Sequence, residues 1–382
     1  MNNEKNLRPF LAMEILSKAN ELEMLGHDIC HLEVGEPGAL PAPKVIKAVK
    51  KALLKPQKYT AAKGVIKLRQ ELCKHYKSFY NLNINPENII ISIGSSAGFT
   101  LAFLSALKKG ESIAITRPGY PAYLNIIDAL GFAPVEIALS QKNHWRLRAK
   151  DIEIAYKQNP FSALLFASPA NPTGASVCKD EFEEIIKTCN KLNVQLISDE
   201  IYHGLEYEQK STCAFEFDTQ AIIVNSFSKY YCMTGMRIGW LILPDKLIRK
   251  AEMLQQNMFI SAPSLSQIAA IAALKENEYS LIQKKSYKKN RDILLKGLKT
   301  LGFENLNITD GAFYIYADVS KFTNDSYEFC HTLLEKAGVA LTPGADFDRE
   351  DGHNYVRFSF AGKQKNIENA LEKMSAFLHS SK

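Results

Sequence analysis

The 382-residue sequence holds seven cysteines without a single C-x-x-C pair, eight histidines, two tryptophans, and no apolar run near the ~20 residues that span a bilayer. The odd, scattered cysteines exclude a disulfide framework and read as thiols of a reducing compartment. His203 and His353 have no partner at metal-ligand spacing, so no metal site is expected. The opening MNNEKNLRPFLAMEIL lacks the apolar core and small-residue cleavage site of a secretory signal, which predicts a cytoplasmic location and no membrane partner. Repeats and low-complexity segments are absent as well. The net charge of +6 comes from lysines spread along the chain, and its densest stretch, QKKSYKKNRD, has helical composition and reads as a solvated helix face. No nucleic-acid partner is expected.

What the chain does have is an alternation of short apolar runs with helix-like stretches. The runs are Ile89–Gly94, Ser112–Thr116, Ser162–Ala167, Val194–Ser198, Ala221–Asn225 and Arg237–Leu243. Between two of them, KDEFEEIIKTCNKL places Phe182, Ile185, Ile186 and Cys189 on one helical face. This pattern predicts an α/β fold with a mostly parallel, helix-covered sheet, in which ligands sit at the carboxyl ends of the strands. After about Tyr279 the texture changes to a long charged helical stretch with strand-like Gly311–Val319 and Tyr355–Ala361. We therefore expect a large domain over residues 45–280 and a smaller α+β domain over 1–44 and 281–382.

The groups of chemical interest follow these runs. SFSKYYCMTGMRIGW puts Lys229 in a loop between two buried strands, with Ser226, Ser228 and Arg237 spaced to grip a phosphate and Gly235 allowing close backbone approach. Desolvation would lower the lysine pKa and make it a Schiff-base nucleophile, and amine chemistry beside a phosphate grip points to pyridoxal phosphate. A solvated lysine among turn-capping serines fits the same letters equally well. Asp199, ending the VQLIS strand in SDEIYHG, either neutralises a buried cation such as a pyridinium nitrogen or caps the next helix, with Tyr202 its neighbour or a packing aromatic. In FASPANPTGA, Asn171 either points its amide at a ligand from a rigid Asn171–Pro172 bond or belongs to an ordinary turn. GSSAG, with Ser95 and Ser96, opens an apolar helix where an anion could dock. Tyr120 could stack on a planar ring or fill a loop core, and Arg357, inside an apolar strand, calls for a carboxylate from the protein or from a substrate.

Taken in order, VGEPG, NPTG, SDEIY, SFSKYYCMTGMRIGW and YVRFSFA resemble the class I/II aminotransferases, the fold-type-I pyridoxal phosphate enzymes typified by aspartate aminotransferase. The resemblance implies that Lys229 holds the cofactor as a Schiff base and later acts as the proton shuttle. It also implies Asp199 at the pyridine nitrogen, Asn171 and Tyr202 at the phenolic oxygen, and Tyr120 stacked on the ring. The phosphate would meet Ser95, Ser96, Ser226, Ser228, Arg237 and, from the other subunit of a homodimer with shared sites, Tyr59. Arg357, Asn171 and the backbone of Gly35 would bind the substrate α-carboxylate. The implied reaction is ping-pong transfer of an amino group from an L-amino acid to a 2-oxo acid such as 2-oxoglutarate; carbon-sulfur β-lyases and decarboxylases share the scaffold. Two departures stand out: Ser96 where aspartate-using relatives carry a lysine, and Asp348 where many have glycine. Phe10, Tyr123, Phe259 and Phe313 are the aromatic candidates for the side-chain pocket.

Overall fold

A computed structural model describes residues 8–307 and 309–380. Among them the strands are Cys30–His31 (β1), Ile89–Ser92 (β2), Ser112–Arg117 (β3), Ala133–Ala138 (β4), Ala163–Ala167 (β5), Gln195–Asp199 (β6), Ile222–Ser226 (β7), Gly239–Ile242 (β8), Tyr314–Asp318 (β9), Val339–Ala340 (β10), Thr342–Pro343 (β11) and Tyr355–Ser359 (β12). Seven of them form one sheet in the order β2-β8-β7-β6-β5-β3-β4, parallel throughout except for β8, which runs against both its neighbours. Strands β2, β7 and β8 are buried on both faces, as expected for apolar, largely β-branched runs covered by helices. Helix Gly94–Ala106 is apolar on nearly all sides and lies between the sheet and helix Asp245–Met258. Helix Lys179–Lys191 buries Phe182, Ile185, Ile186 and Cys189, the face its spacing predicts.

Strand β4 escapes a reading of the sequence because APVEIA sits at the sheet edge, mostly exposed, with Pro134 giving no N–H to a ladder. The run Arg237–Leu243 shortens to Gly239–Ile242 because Arg237 adopts a left-handed φ of 48°.

The C-terminal part carries an antiparallel sheet, β11-β12-β9, and a parallel pair in which β1 joins β10. We propose the division into 45–280 and 1–44 with 281–382 on the strength of that pair and of the Ser359 N–H donating to Leu32 O at 2.7 Å. Helix Asn277–Thr300 crosses the 280/281 boundary without a break. No helix among the described residues is long and apolar enough to cross a membrane.

Candidate active site

Parallel strands bring distant loops to one edge. Ser92, Arg117, Ala167, Asp199 and Ser226 end β2, β3, β5, β6 and β7, so Gly94, Tyr120, Asn171 and Lys229 emerge side by side. The reversed β8 adds one more, because its start, Gly239, lies opposite both Ser92 and Ser226, and Arg237 just ahead of it faces the same edge. Of these, Tyr120, Asn171, Asp199, Lys229 and Arg237 line a cavity of about 220 Å³ together with Ser95, Ser96, Tyr202, Ser228, Gly35 and Arg357.

Asp199 is buried at the floor. Burial pushes its carboxyl up to about 6, opposed by hydrogen bonds from the Tyr123 hydroxyl to Oδ2 and from the Ile201 N–H to Oδ1 at 3.0 Å. No cation among the described residues forms an ion pair with it, so two hydrogen bonds offset only part of its desolvation. Lys229 Nζ donates to Gly35 O at 2.6 Å, and burial, with Arg357 adding repulsion, lowers its amine to about 8. The Tyr202 hydroxyl meets that of Tyr314 at 2.8 Å. Tyr120 packs edge-on against Tyr123, ring centres 5.3 Å apart.

At the opposite end, Ser95 and Ser96 occupy the first turn of helix Gly94–Ala106, where unpaired N–H groups favour an anion. Gly94 has φ 71°, and a Cβ there would stand 2.6 Å from Arg237 Nη2, so only glycine lets that guanidinium approach the helix start. Arg237 Nη1 donates to Thr234 O at 3.0 Å. A phosphate fits this end, a planar cation fits Asp199, and an aldehyde fits Lys229. The residues present therefore fit pyridoxal phosphate.

Arg357, in the middle strand β12, is 2% exposed. Nη1 donates to Asn171 Oδ1 at 2.9 Å, Nη2 donates to Glu33 O and to Thr342 Oγ1, the latter at 3.1 Å, and Nε has no hydrogen-bond partner. Tyr314 and Phe347 flank the guanidinium, 4.5 and 4.8 Å from the ring centres. Among the described residues no carboxylate pairs with it. A buried cation with neutral acceptors only has the chemistry to take an incoming carboxylate.

Not every expected residue reaches the cavity. Ser226 is 1% exposed and turned inward, its hydroxyl 3.0 Å from Ile238 O and accepting the Ser228 N–H at 3.1 Å. It shapes the loop without lining the cavity. Tyr59 is 81% exposed and does not line this cavity. Phe259, partly buried at the end of helix Asp245–Met258, packs against the core, and Phe313 is buried with Lys229 Nζ 6.0 Å from its ring centre. Phe10 and Tyr123 do line it. Asp348 draws the loop around itself by accepting the Glu350 and Asp351 N–H groups, and lies 3.4 Å from Arg117. Sequence reading missed Tyr314, Thr234, Val34, Ala12 and Met13, all lining the cavity. Period-two alternation in FYIYAD could have flagged Tyr314 as facing opposite to Phe313, but not which face holds the site.

Tyr123 gives a direct test of Asp199. In Tyr123→Phe the carboxyl loses a donor that favours its charged form, so its pKa rises above about 6 and less of it is ionised at any given pH. Cofactor affinity of the apoenzyme should then regain its wild-type value about one pH unit higher, the equivalent of about 1.4 kcal/mol from a hydrogen bond to a charged group. Titration of tryptophan fluorescence with cofactor from pH 5 to 8 measures the displacement, and coincident profiles would remove Tyr123 from this role.

Known proteins place the geometry in context. The family described as aminotransferase class I and II matches residues 27–374. A valine–pyruvate aminotransferase of Mycobacterium tuberculosis is 41% identical over 381 residues, covering 97% of each chain. A (5-formylfuran-3-yl)methyl phosphate transaminase of Methanocaldococcus jannaschii is 37% identical over 380 residues, 98% of each. The crystal structure of an aminotransferase from Mycobacterium tuberculosis superposes with a TM-score of 0.96 at 40% identity, covering 100% of this chain and 99% of that one. With a buried amine, an unpaired carboxylate and an anion cradle at one sheet edge, the chain belongs to the class I and II aminotransferases and is a pyridoxal phosphate-dependent transaminase of fold type I.

Proposed function

We propose that the enzyme moves the amino group of an apolar L-amino acid to a monocarboxylic 2-oxo acid such as pyruvate, by a ping-pong mechanism, with 2-oxoglutarate the poorer acceptor. The carrying observation is the charge inventory of the cavity. Its cationic lining residues are Lys229, Arg237 and Arg357, and each has a task, leaving none to read a second carboxylate. The remaining wall carries the apolar Phe10, Met13 and Val34 beside one acidic side chain, Glu36, which accepts the Thr234 hydroxyl, so no further cation faces the substrate. The printed name of the Mycobacterium relative, valine–pyruvate aminotransferase, points the same way.

The cofactor, when bound, supplies an aldehyde that condenses with amines and a ring that draws electrons from the substrate Cα–H bond. Asp199, ionised, would hold a proton on the ring nitrogen, Asn171 and Tyr202 would orient the ring oxygen, and Tyr120 would lie against the ring. Ser95, Ser96, Ser228 and Arg237 would hold the phosphate. Arg357 and Asn171 fix the substrate carboxylate, so that Cα faces Lys229. The Lys229 amine, held near 8 by burial, is partly unprotonated at neutral pH and can take the proton from Cα; handed on to the cofactor's aldehyde carbon and not back to Cα, that proton would complete the transfer. Gly35 O, 2.6 Å from Nζ, orients it and accepts its hydrogen.

Leu53, Leu54, Tyr59 and Ile260 form an exposed apolar patch, 51 to 86% exposed, and the Thr60 N–H reaching Ser261 Oγ at 3.4 Å holds the two segments together. This patch supports a homodimer in which Tyr59 reaches the other subunit's phosphate site, and sedimentation at twice the 42.8 kDa chain mass is expected. The free thiols, five of the seven buried, support a reducing, cytoplasmic location, which fractionation of the source cells checks.

The deciding experiment pairs valine, leucine, alanine, aspartate and glutamate as donors with pyruvate and 2-oxoglutarate as acceptors. An apolar donor with pyruvate should exceed aspartate with 2-oxoglutarate by at least about tenfold in kcat/KM, the scale of one unpaired carboxylate. A preference for dicarboxylic substrates would overturn the proposal.

A further inference from the structure

Helix Leu11–Met24 begins without a cap of its own, since Phe10 at the N-cap offers no side-chain acceptor. The missing acceptor comes from the other end of the chain. Asp346, in the turn that follows β11, accepts the Leu11 N–H at Oδ1 (3.0 Å) and the Ala12 N–H at Oδ2 (3.3 Å). A carboxylate here also faces the positive end of the helix dipole. A second anchor precedes the helix: the Arg8 N–H donates to Asn125 Oδ1 at 3.4 Å, and Asn125 Nδ2 donates back to Arg8 O at 3.3 Å. Asn125 sits on helix Pro121–Leu130, directly after Tyr120. Between these two anchors Phe10 lies edge-on to Tyr120, ring centres 5.9 Å apart, and Phe10, Ala12 and Met13 form one wall of the cavity.

We propose that Asp346 is a positioning residue for donor selection: by capping the N-terminal helix from the strand system that holds Arg357, it fixes the Phe10–Met13 wall at the distance that bulky apolar side chains require. The same turn follows Thr342, which accepts from Arg357, so the carboxylate receptor and the side-chain wall share one support. Asn125 sets the wall against the ring-facing Tyr120, and Asp346 sets it against Arg357. The proposal rests on the reading of the cavity as a pocket for apolar donors.

The test compares leucine and alanine as donors in the holoenzyme and follows amide hydrogen exchange of residues 11–14. In Asp346→Ala, kcat/KM for leucine should fall about tenfold, the scale of a lost helix cap, and that for alanine should hold, because its methyl group does not reach the wall. Exchange of the Leu11 and Ala12 amides should quicken by a similar factor. Asp346→Asn keeps one acceptor oxygen and should restore part of the leucine selectivity; it also serves as the test variant if Asp346→Ala does not fold. Phe10→Ala should lose leucine selectivity too, and the Phe10→Ala/Asp346→Ala double variant should be no worse than the poorer single one, since both act through the same wall. Equal losses for leucine and alanine, or unchanged exchange, would overturn the proposal. A wild-type enzyme that uses neither donor counts against the apolar-donor function, and the exchange result then decides the role of Asp346 alone.

Discussion

Lys229→Ala should lower kcat by at least about 10⁴-fold, the upper range for losing a general acid–base group, since the amine is lost at the same time as a nucleophile. The expectation follows from the surroundings of Nζ. Burial depresses the amine to about 8, Gly35 O holds it at 2.6 Å, and among the described residues no other amine lines the cavity. A structural explanation for such a loss is weak, because the side chain faces the cavity and its removal leaves the packed core around Phe227 and Trp240 untouched. Lys229→Arg separates charge from nucleophilicity: the cation persists, the reactive amine does not, and activity should be equally low. Borohydride reduction followed by mass spectrometry supplies a readout apart from turnover. The wild-type protein should retain cofactor mass covalently on the peptide with Lys229, and neither variant should. Turnover within a few fold of wild type in Lys229→Ala would end the assignment.

How much of this site is legible before folding depends on whether the signal is local. Lys229 and Arg237 belong to one loop between two β-branched runs, and Asp199 ends another, so strand ends and loop chemistry can be read from neighbouring letters. The face of a residue near a strand end is harder to read. Ser226 closes β7 with its hydroxyl turned to Ile238 O, and Ser228, two residues on, lines the cavity; both look alike as serines flanking a lysine. Phe313 and Tyr314 are adjacent and equally aromatic, yet the first is buried outside the cavity lining and the second meets Tyr202, because alternation reveals two faces without saying which is wet. Long-range pairings leave no trace in spacing at all. Asn171 and Glu33 meet Arg357 across 186 and 324 residues, and Asp346 caps a helix 335 residues earlier. Phe10 was legible only as an aromatic; its place in the wall depends on those distant anchors.

Arg357→Lys should lower kcat/KM for amino-acid donors by about 10³-fold, mostly through KM, because truncating one partner of a buried charge pair costs about 2–5 kcal/mol. The guanidinium is 2% exposed, its two Nη atoms donate to Asn171, Glu33 O and Thr342, and no carboxylate among the described residues pairs with it, so a substrate carboxylate would supply that charge. Lysine preserves one positive charge but not the fork: it cannot donate to Asn171 and Thr342 and still present two parallel N–H groups to a carboxylate. It also loses the guanidinium's contacts with the Tyr314 and Phe347 rings, a structural share of the loss. A donor without a carboxylate resolves the two effects. For a primary amine of the same side chain, turnover is already poor in the wild type, and Arg357→Lys should leave it nearly unchanged, since no carboxylate is there to miss the fork. If the amine and the amino acid lose rate in equal proportion, Arg357 supports the sheet and not the substrate. If the amino acid alone loses it, the discrimination between the two donors collapses to near unity in the variant, and the size of that collapse measures the bond between the guanidinium and the α-carboxylate.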